Sequence, residues 1–505
     1  MAKKLVDVHE KAKSYDWDFT FADQSEVGKY ETRYKLPKKG KDPFRVLIRD
    51  YLKMEAEKDD RTFGFLDGAL RTKMADQIQP RFMECLKLTL PDLTNAEFQA
   101  VAGAARIISS IRNQELRQGY HAQMMDEVRH TQLEMALRDY YVKNWQDPAG
   151  WDITQKALYQ HPGGLVSIAL FQNFNTGDLI DCIVNLNICV ETAFTNILLV
   201  ATPQTAALNG DHAMASTFLS IQSDESRHMA NGYGSVMMVL AEEDNVEPLN
   251  EALERHFWHC HRGLDALVGW QSEYGATVRP HSFREMWEEW VVDDFVGSYV
   301  DRLTEFGVRP PARLGAAAES VRWMHHTIGM VFAAIWPLNF WRSDPMRPED
   351  FDWFESHYPG WYDVYGGFWE AYAQMTDPSS GHLMLQELSA LPPFCQVCQL
   401  PCVVPRPDQS DMRVVEYEGK RFAVCSEGCE WIFKRWPTAH AGRKQFWERY
   451  DGWDLADVIL DLGYIRPDGK TLIGQPSVDL PPDRLWTIDD IRRLGIQITN
   501  PMNQL

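Results

Sequence analysis

Between about residues 90 and 240 the apolar and polar positions alternate with the three-and-four step of amphipathic helices, and Gly or Pro breakers are few. Leu93, Glu97, Ala100, Val101, Ala104 and Ile108 fall on one such stripe, and Tyr120, Met124, Glu127, Thr131 and Glu134 on another. Pro162-Gly163-Gly164 and Asn209-Gly210-Asp211 punctuate the run as connections between helices. Residues 1–80 are polar and Lys-rich, with Pro37 and Pro43 set against any long helix, and predict an arm with short helices. Further helices follow, with much of the Trp, up to a Pro-, Gly- and Trp-rich stretch around Trp336 to Trp369. After about residue 385 the pattern changes to Pro, Cys, short β-like runs and Gly turns. The predicted division is 1–80 arm, 81–385 helical domain, 386–440 Cys-bearing module and 441–505 mixed C-terminal segment.

Composition narrows the class. Of 505 residues, 45% are hydrophobic and 24% charged, which excludes a largely disordered chain. The formal charge of −21 repels phosphate backbones, so no nucleic-acid partner is expected. No uncharged apolar run reaches the roughly 18 residues of a membrane span. Met1-Ala2-Lys3-Lys4-Leu5 has no apolar stretch behind it and is not read as a signal peptide. A soluble, cytoplasmic protein with no membrane contact is the expectation. Cys85, Cys182, Cys189 and Cys260 are scattered and read as buried thiols, whereas five cysteines lie between Cys395 and Cys429. The odd total of nine speaks for reduced thiols or a metal over a disulfide framework.

One pentad is written twice: Asp126-Glu127-Val128-Arg129-His130 and Asp224-Glu225-Ser226-Arg227-His228. Residues i and i+3 share a helix face, so each Glu and His can bind one metal ion together. A dinuclear site needs one more carboxylate from each of two further helices. Glu97 interrupts an apolar stripe thirty residues before Glu127, and Glu191 sits in Ile188-Cys189-Val190-Glu191-Thr192-Ala193-Phe194, thirty-four residues before Glu225. A carboxylate in such surroundings is costly unless paired or metal-bound. Four carboxylates and two imidazoles suit iron or manganese better than zinc. Asp126 and Asp224 fit as acceptors for the ligand His N–H groups, with Arg129 and Arg227 pairing to those acids.

The pattern resembles the large (α) subunits of bacterial multicomponent di-iron monooxygenases, which oxidise methane, propane, alkenes, toluene or phenol. Phe354-Glu355-Ser356-His357-Tyr358-Pro359-Gly360-Trp361, Asp454-Leu455-Ala456-Asp457 and Asp468 through Pro476 look closest to the propane and short-alkene branch. The resemblance implies a mainly α, ferritin-like di-iron bundle with additional helices. It implies two irons held by Glu97, Glu127, His130, Glu191, Glu225 and His228, where O2 is activated and one oxygen atom enters a hydrocarbon. Thr195, four residues after Glu191, matches a family Thr that faces the oxygen site. Electrons would come from NADH through a separate flavin/iron–sulfur reductase, since no Rossmann or plant-type Fe–S fingerprint is visible. A β subunit and a small coupling protein are also implied partners.

Glu134 departs from the family, which commonly has Cys or Gln there. Two turns beyond Glu127, it should point toward the metal with a raised pKa and take part in proton transfer. Ribonucleotide reductase small subunits, which share the spacing, place a radical tyrosine at that offset.

Cys395-Gln396-Val397-Cys398 and Cys425-Ser426-Glu427-Gly428-Cys429 give C-x2-C and C-x3-C separated by twenty-six residues, the pattern of a structural tetrahedral zinc site. Cys402 is a spare that could replace Cys398 or stay free. His256, His259 and His261 cluster without paired carboxylates and read as a polar helix face.

Leu93, Ala100, Leu170 and Phe174 are the expected pocket lining, apolar and suited to a small hydrocarbon. Epoxidation of C2 to C4 alkenes and hydroxylation of short alkanes use the same oxidant, and sequence does not separate them. The alternatives are a phenol or other aromatic hydroxylase of the same family, a ferritin-like iron oxidase or storage protein, and a non-catalytic partner subunit. The last should lack the ligands; storage proteins are roughly a third of this length.

Overall fold

Two long helices, α1 (Ile48–Arg71) and α2 (Pro80–Ser110), open the described part of the computed structural model, which covers residues 31–36, 48–112, 114–144, 151, 160, 162–335, 344–374, 392–406, 408, 410–472 and 485–505. Pro80 occupies the first turn of α2, where its missing N–H costs nothing. Next come α3 (Gln114–Asn144), the short α4 (Pro162–Phe171), α5 (Leu179–Leu208) and α6 (His212–Val239). α2 packs along α3, and α6 packs on both α3 and α5, so the two pentad helices face each other. Asn209-Gly210-Asp211 is the connection between α5 and α6. Gly210 has φ 85°, and a Cβ there would stand 2.1 Å from the Gln77 carbonyl, so only Gly fits. Asp211 then caps α6 by accepting from the Met214 N–H.

α5 is the apolar centre of the bundle. Its mean hydropathy of 1.6 and length would suffice for a membrane crossing, but 83% of that stretch is buried inside the protein. Much of it, from Val184 to Phe194 and from Ile197 to Ala201, is wound with the wider i→i+5 hydrogen bonding of a π-helix. Such widening is characteristic of functional sites. α7 (Val246–Leu264) runs on through a wider segment, Asp265–Gly269, to Tyr274. α8 (Phe283–Trp287) starts with a Ser282/Glu285 capping box and continues as a wide helix over Glu288–Val300 against α5.

The Cys-bearing region folds as a hairpin, β1 (Arg413–Tyr417) and β2 (Lys420–Val424), paired antiparallel with Arg413 opposite Val424. α9 (Glu427–Arg435) follows, capped by the Ser426 side chain. Its buried residues belong to the same apolar core as α5 and α7.

The expectation of only short helices before residue 80 is overturned by the 24-residue α1. Its buried positions, Tyr51, Glu55, Thr62, Leu66 and Ala69, keep helical spacing, but two are polar, which hid the stripe. The remainder of the predicted arm (residues 1–30 and 37–47), the 385/386 boundary and Ile473–Pro476 lie outside the described residues.

Candidate metal centre

Helix spacing puts Glu127 and His130 on one face of α3, and Glu225 and His228 on the opposed face of α6. Glu97 arrives from α2 and Glu191 from the wide segment of α5. His130 Nδ1 lies 3.4 Å from Glu97, 3.5 Å from Glu127 and 3.8 Å from Glu225. His228 Nδ1 lies 2.7 Å from Glu225, 3.2 Å from Glu191 and 3.4 Å from Glu127. Two triads suited to cations result, Glu97–Glu127–His130 and Glu127–Glu191–His228, sharing Glu127. Glu225 turns one oxygen to each histidine.

Each histidine aims Nδ1 inward and spends Nε2 on the other pentad's aspartate: His130 on Asp224 at 3.1 Å and His228 on Asp126 at 3.2 Å. Arg129 crosses to Asp224 at 2.8 Å, and Arg227 bridges Asp126 at 2.9 Å and the Asp224 of its own pentad at 2.7 Å. α1 completes this layer. Lys58 pairs with Asp224, Glu55 with Arg227 at 3.0 Å, and Asp59 with Arg129 at 2.6 Å. Glu55, Asp126 and Asp224 thus form a carboxylate group already neutralised by Lys58, Arg129 and Arg227.

Among the described residues no Lys or Arg pairs with the inner carboxylates. Burial, with Glu191 and Glu97 nearby, pushes the Glu127 carboxyl up to about 8 although His228 opposes it. Burial and Glu191 likewise push Glu225 well up. His130 Nδ1 is buried with no hydrogen-bond partner. Glu127 and Glu225, raised by burial and by the neighbouring acids, around a buried imidazole nitrogen without a hydrogen bond, are what two hard cations would relieve.

Sequence reasoning missed Gln123, which donates to Glu127 and Glu191, both at 3.3 Å. Asn187 and Asn231 donate in turn to Gln123, at 2.9 and 3.4 Å. The available signal was position, since Gln123 precedes Glu127 by four on the ligand face. Glu55 and Lys58 gave none, because charged residues on a polar helix look solvated.

Leu93, Ala100, Leu170, Phe174 and Thr195 line one apolar cavity of about 80 Å³, floored by Glu97, Glu127, Glu191 and Glu225. Leu186, Phe194, Leu199, Cys260, Gly263 and Leu267 add to its walls. Thr195 Oγ donates to the Val190 carbonyl at 3.0 Å, an i→i−5 bond that the wide turn allows. Glu134 does not line the cavity. It is buried beside Glu97 and Thr94 with Oε2 unpartnered, and burial together with Glu97 raises its pKa strongly.

Cys395, Cys398, Cys425 and Cys429 converge, fully buried and unpaired by disulfides. The Cys398–Cys425 and Cys425–Cys429 sulfurs are 3.6 Å apart and Cys429–Cys398 3.9 Å. A tetrahedron with Zn–S of about 2.3 Å has edges of about 3.8 Å, close to these three distances, and the Cys395 sulfur lies within 4.8 Å of the other three. Cys402 is buried outside that quartet. His256, His259 and His261 are buried, not on a polar face, because α7 is covered on both sides. A further group, Glu273, His325 and His326, is closed by its own hydrogen bonds: Glu273 takes His325 Nε2 at 2.7 Å, Tyr358 O–H and the Phe283 N–H.

Helices facing one another across paired buried carboxylates and imidazoles define a dimetal-carboxylate protein of the ferritin-like class. Comparison with known proteins goes further. Residues 17–243 match the model of the methane/phenol/alkene hydroxylase family. The chain is 39% identical to the large subunit of the propane 2-monooxygenase hydroxylase component of Gordonia sp. (strain TY-5), over 99% of this chain and 94% of that one. It is 35% identical to the alpha chain of methane monooxygenase component A of Methylococcus capsulatus, covering 98% and 94%. The fold is shared with phenol hydroxylase from Pseudomonas sp. OX1, with TM-score 0.74, 23% identity and coverage of 94% and 92%. The chain belongs to this family, as a large hydroxylase subunit of the bacterial multicomponent di-iron monooxygenases.

Proposed function

We propose that this chain is the oxygenase subunit of a cytoplasmic multicomponent monooxygenase that inserts one atom of O2 into a small hydrocarbon, a C2 to C4 alkene or alkane. The observation that carries the reading is the apolar cavity whose floor is the carboxylate cluster. Two irons would be held by Glu97, Glu127, His130, Glu191, Glu225 and His228, and when bound they supply the oxidising chemistry. The chain's own part is to orient the ligand imidazoles through Asp126 and Asp224, keep bulk water out with Leu93, Ala100, Leu170 and Phe174, and confine the substrate above the cluster. Thr195 is the hydroxyl in that lining, and Glu134 is a buried carboxyl close to Glu97 able to hold or release a proton. The about 80 Å³ cavity is smaller than the apolar cavity of about 150 Å³ that admits benzene, which favours short hydrocarbons over phenol. Electrons would reach the site from NADH through a reductase, with a β subunit and a coupling protein in the complex. Cys395, Cys398, Cys425 and Cys429 would hold a structural zinc.

Metal analysis tests the reading first. Purified protein should hold two irons and one zinc per chain, and Glu225→Ala or His130→Ala should lose iron and turnover together while keeping zinc. Full iron loading with normal activity in both variants refutes the site, and freely reactive thiols without zinc refute the module.

A further inference from the structure

α7 is gripped on two opposite faces. At 3.6 residues per turn, Trp258 and Arg262 share one face, while Cys260, Gly263 and Leu264 lie roughly 140–240° around the helix from Trp258. On the first face Trp258 Nε1 donates to Cys429 Sγ at 3.4 Å. The Trp258 ring fills the notch left by Gly428, whose Cβ would stand 2.3 Å from it. Arg262 lies over that ring, 4.9 Å from its centroid, and donates to Ser320 at 3.0 Å. On the opposite face Cys260, Gly263 and Leu264 line the cavity. There Leu170 seats on Gly263, where a Cβ would meet it at 2.3 Å. One helix, about 10 Å thick with its side chains, therefore separates the four cysteines from the cavity.

We propose that the four-cysteine centre positions the cavity wall through Trp258 and Arg262, so that metal in the module sets which hydrocarbons fit. A metal held by all four sulfurs would tie Cys425 and Cys429 to Cys395 and Cys398 and so fix Gly428 and Cys429 against the Trp258 ring, on which Arg262 lies. Without metal the two cysteine pairs are no longer tied together, Gly428 and Cys429 are free to move away from Trp258, and α7 is free to shift against Leu170. The inference rests on the proposed oxygenase reading for its substrate side only.

The test uses the full reconstituted complex and compares Gly428→Ala, Trp258→Phe and, as a control at an exposed position of β1, Val414→Ala. Two quantities are read at confirmed zinc occupancy: the kcat/KM ratio for ethene over 1-butene, and amide hydrogen exchange across residues 258–267. A displaced wall should change the ratio by about tenfold in Gly428→Ala, the scale on which a hydrophobic pocket tells one methylene from another. Exchange should quicken in the same segment. Trp258→Phe should shift both in the same direction by less, and it decides the matter where Gly428→Ala does not fold. Chelation of zinc from the unsubstituted protein should quicken exchange too, and zinc return should restore it. Unchanged ratio and exchange in a folded variant overturn the proposal, as does exchange indifferent to zinc. Failure of the unsubstituted complex to oxidise any hydrocarbon would instead sink the oxygenase reading, leaving the exchange data to judge the coupling.

Discussion

His130 of the first pentad hydrogen-bonds Asp224 of the second, and His228 returns the arrangement with Asp126. Each repeat thus supplies a carboxylate and an imidazole to the buried cluster and an aspartate to the other repeat's histidine. The two pentad helices cannot slide past each other without turning both imidazoles.

The crossing predicts coupled damage. Asp224→Asn should keep the bundle folded but weaken iron binding about 10–100-fold, the usual effect of losing a carboxylate behind a ligand histidine. Because Arg129, Arg227 and Lys58 all lean on Asp224, the change should cost more than Asp126→Asn. Iron titration of both variants decides this; equal affinity to the unsubstituted protein would mean the aspartates only balance charge.

Glu134→Gln removes an ionisable group from a buried position near Glu97 while preserving its shape. Both irons and the melting temperature should be retained, because the carboxyl bonds no metal in this reading and one of its oxygens is unpartnered. Oxygen activation should slow, or peroxide released per NADH should rise. Single-turnover reaction of the reduced enzyme with O2, with peroxide measured alongside, checks it; unchanged rates and coupling would leave Glu134 an ordinary buried acid.

Phe174 bounds the cavity and is 1% exposed. Phe174→Leu should enlarge the cavity at a stability cost below the about 3–5 kcal/mol of a full Phe→Ala truncation. Aromatic oxidation should appear and coupling with ethene should fall. Phenol left untouched by a folded Phe174→Leu enzyme would mean another residue sets the size limit.

Much of the site was legible because its chemistry leaves spacing behind. Glu-x-x-His written twice on helical sequence, with Glu97 and Glu191 breaking apolar stripes, singles out residues that the fold does bring together. Leu93, Ala100, Leu170, Phe174 and Thr195 follow from position relative to those acids. What a single chain does not carry is which helix faces which. The exchange of aspartates between pentads and the reach of Lys58 and Glu55 from α1 are tertiary facts. The wide turns of α5 were hidden because an apolar run has the same composition at either helical pitch. The burial of His256, His259 and His261 depended on the Cys-bearing module packing on α7 from residues far downstream.

The central claim is that carbon and O2 meet in the cavity above the carboxylate cluster. Its most direct test is propene turnover under labelled O2 by the chain reconstituted with its β subunit, coupling protein and NADH-fed reductase. The account predicts propene oxide or an allylic alcohol carrying one labelled oxygen atom, in step with NADH consumed, and abolished in Glu225→Ala. Product with oxygen drawn from water, or NADH oxidation yielding only peroxide with every short hydrocarbon offered, would contradict it.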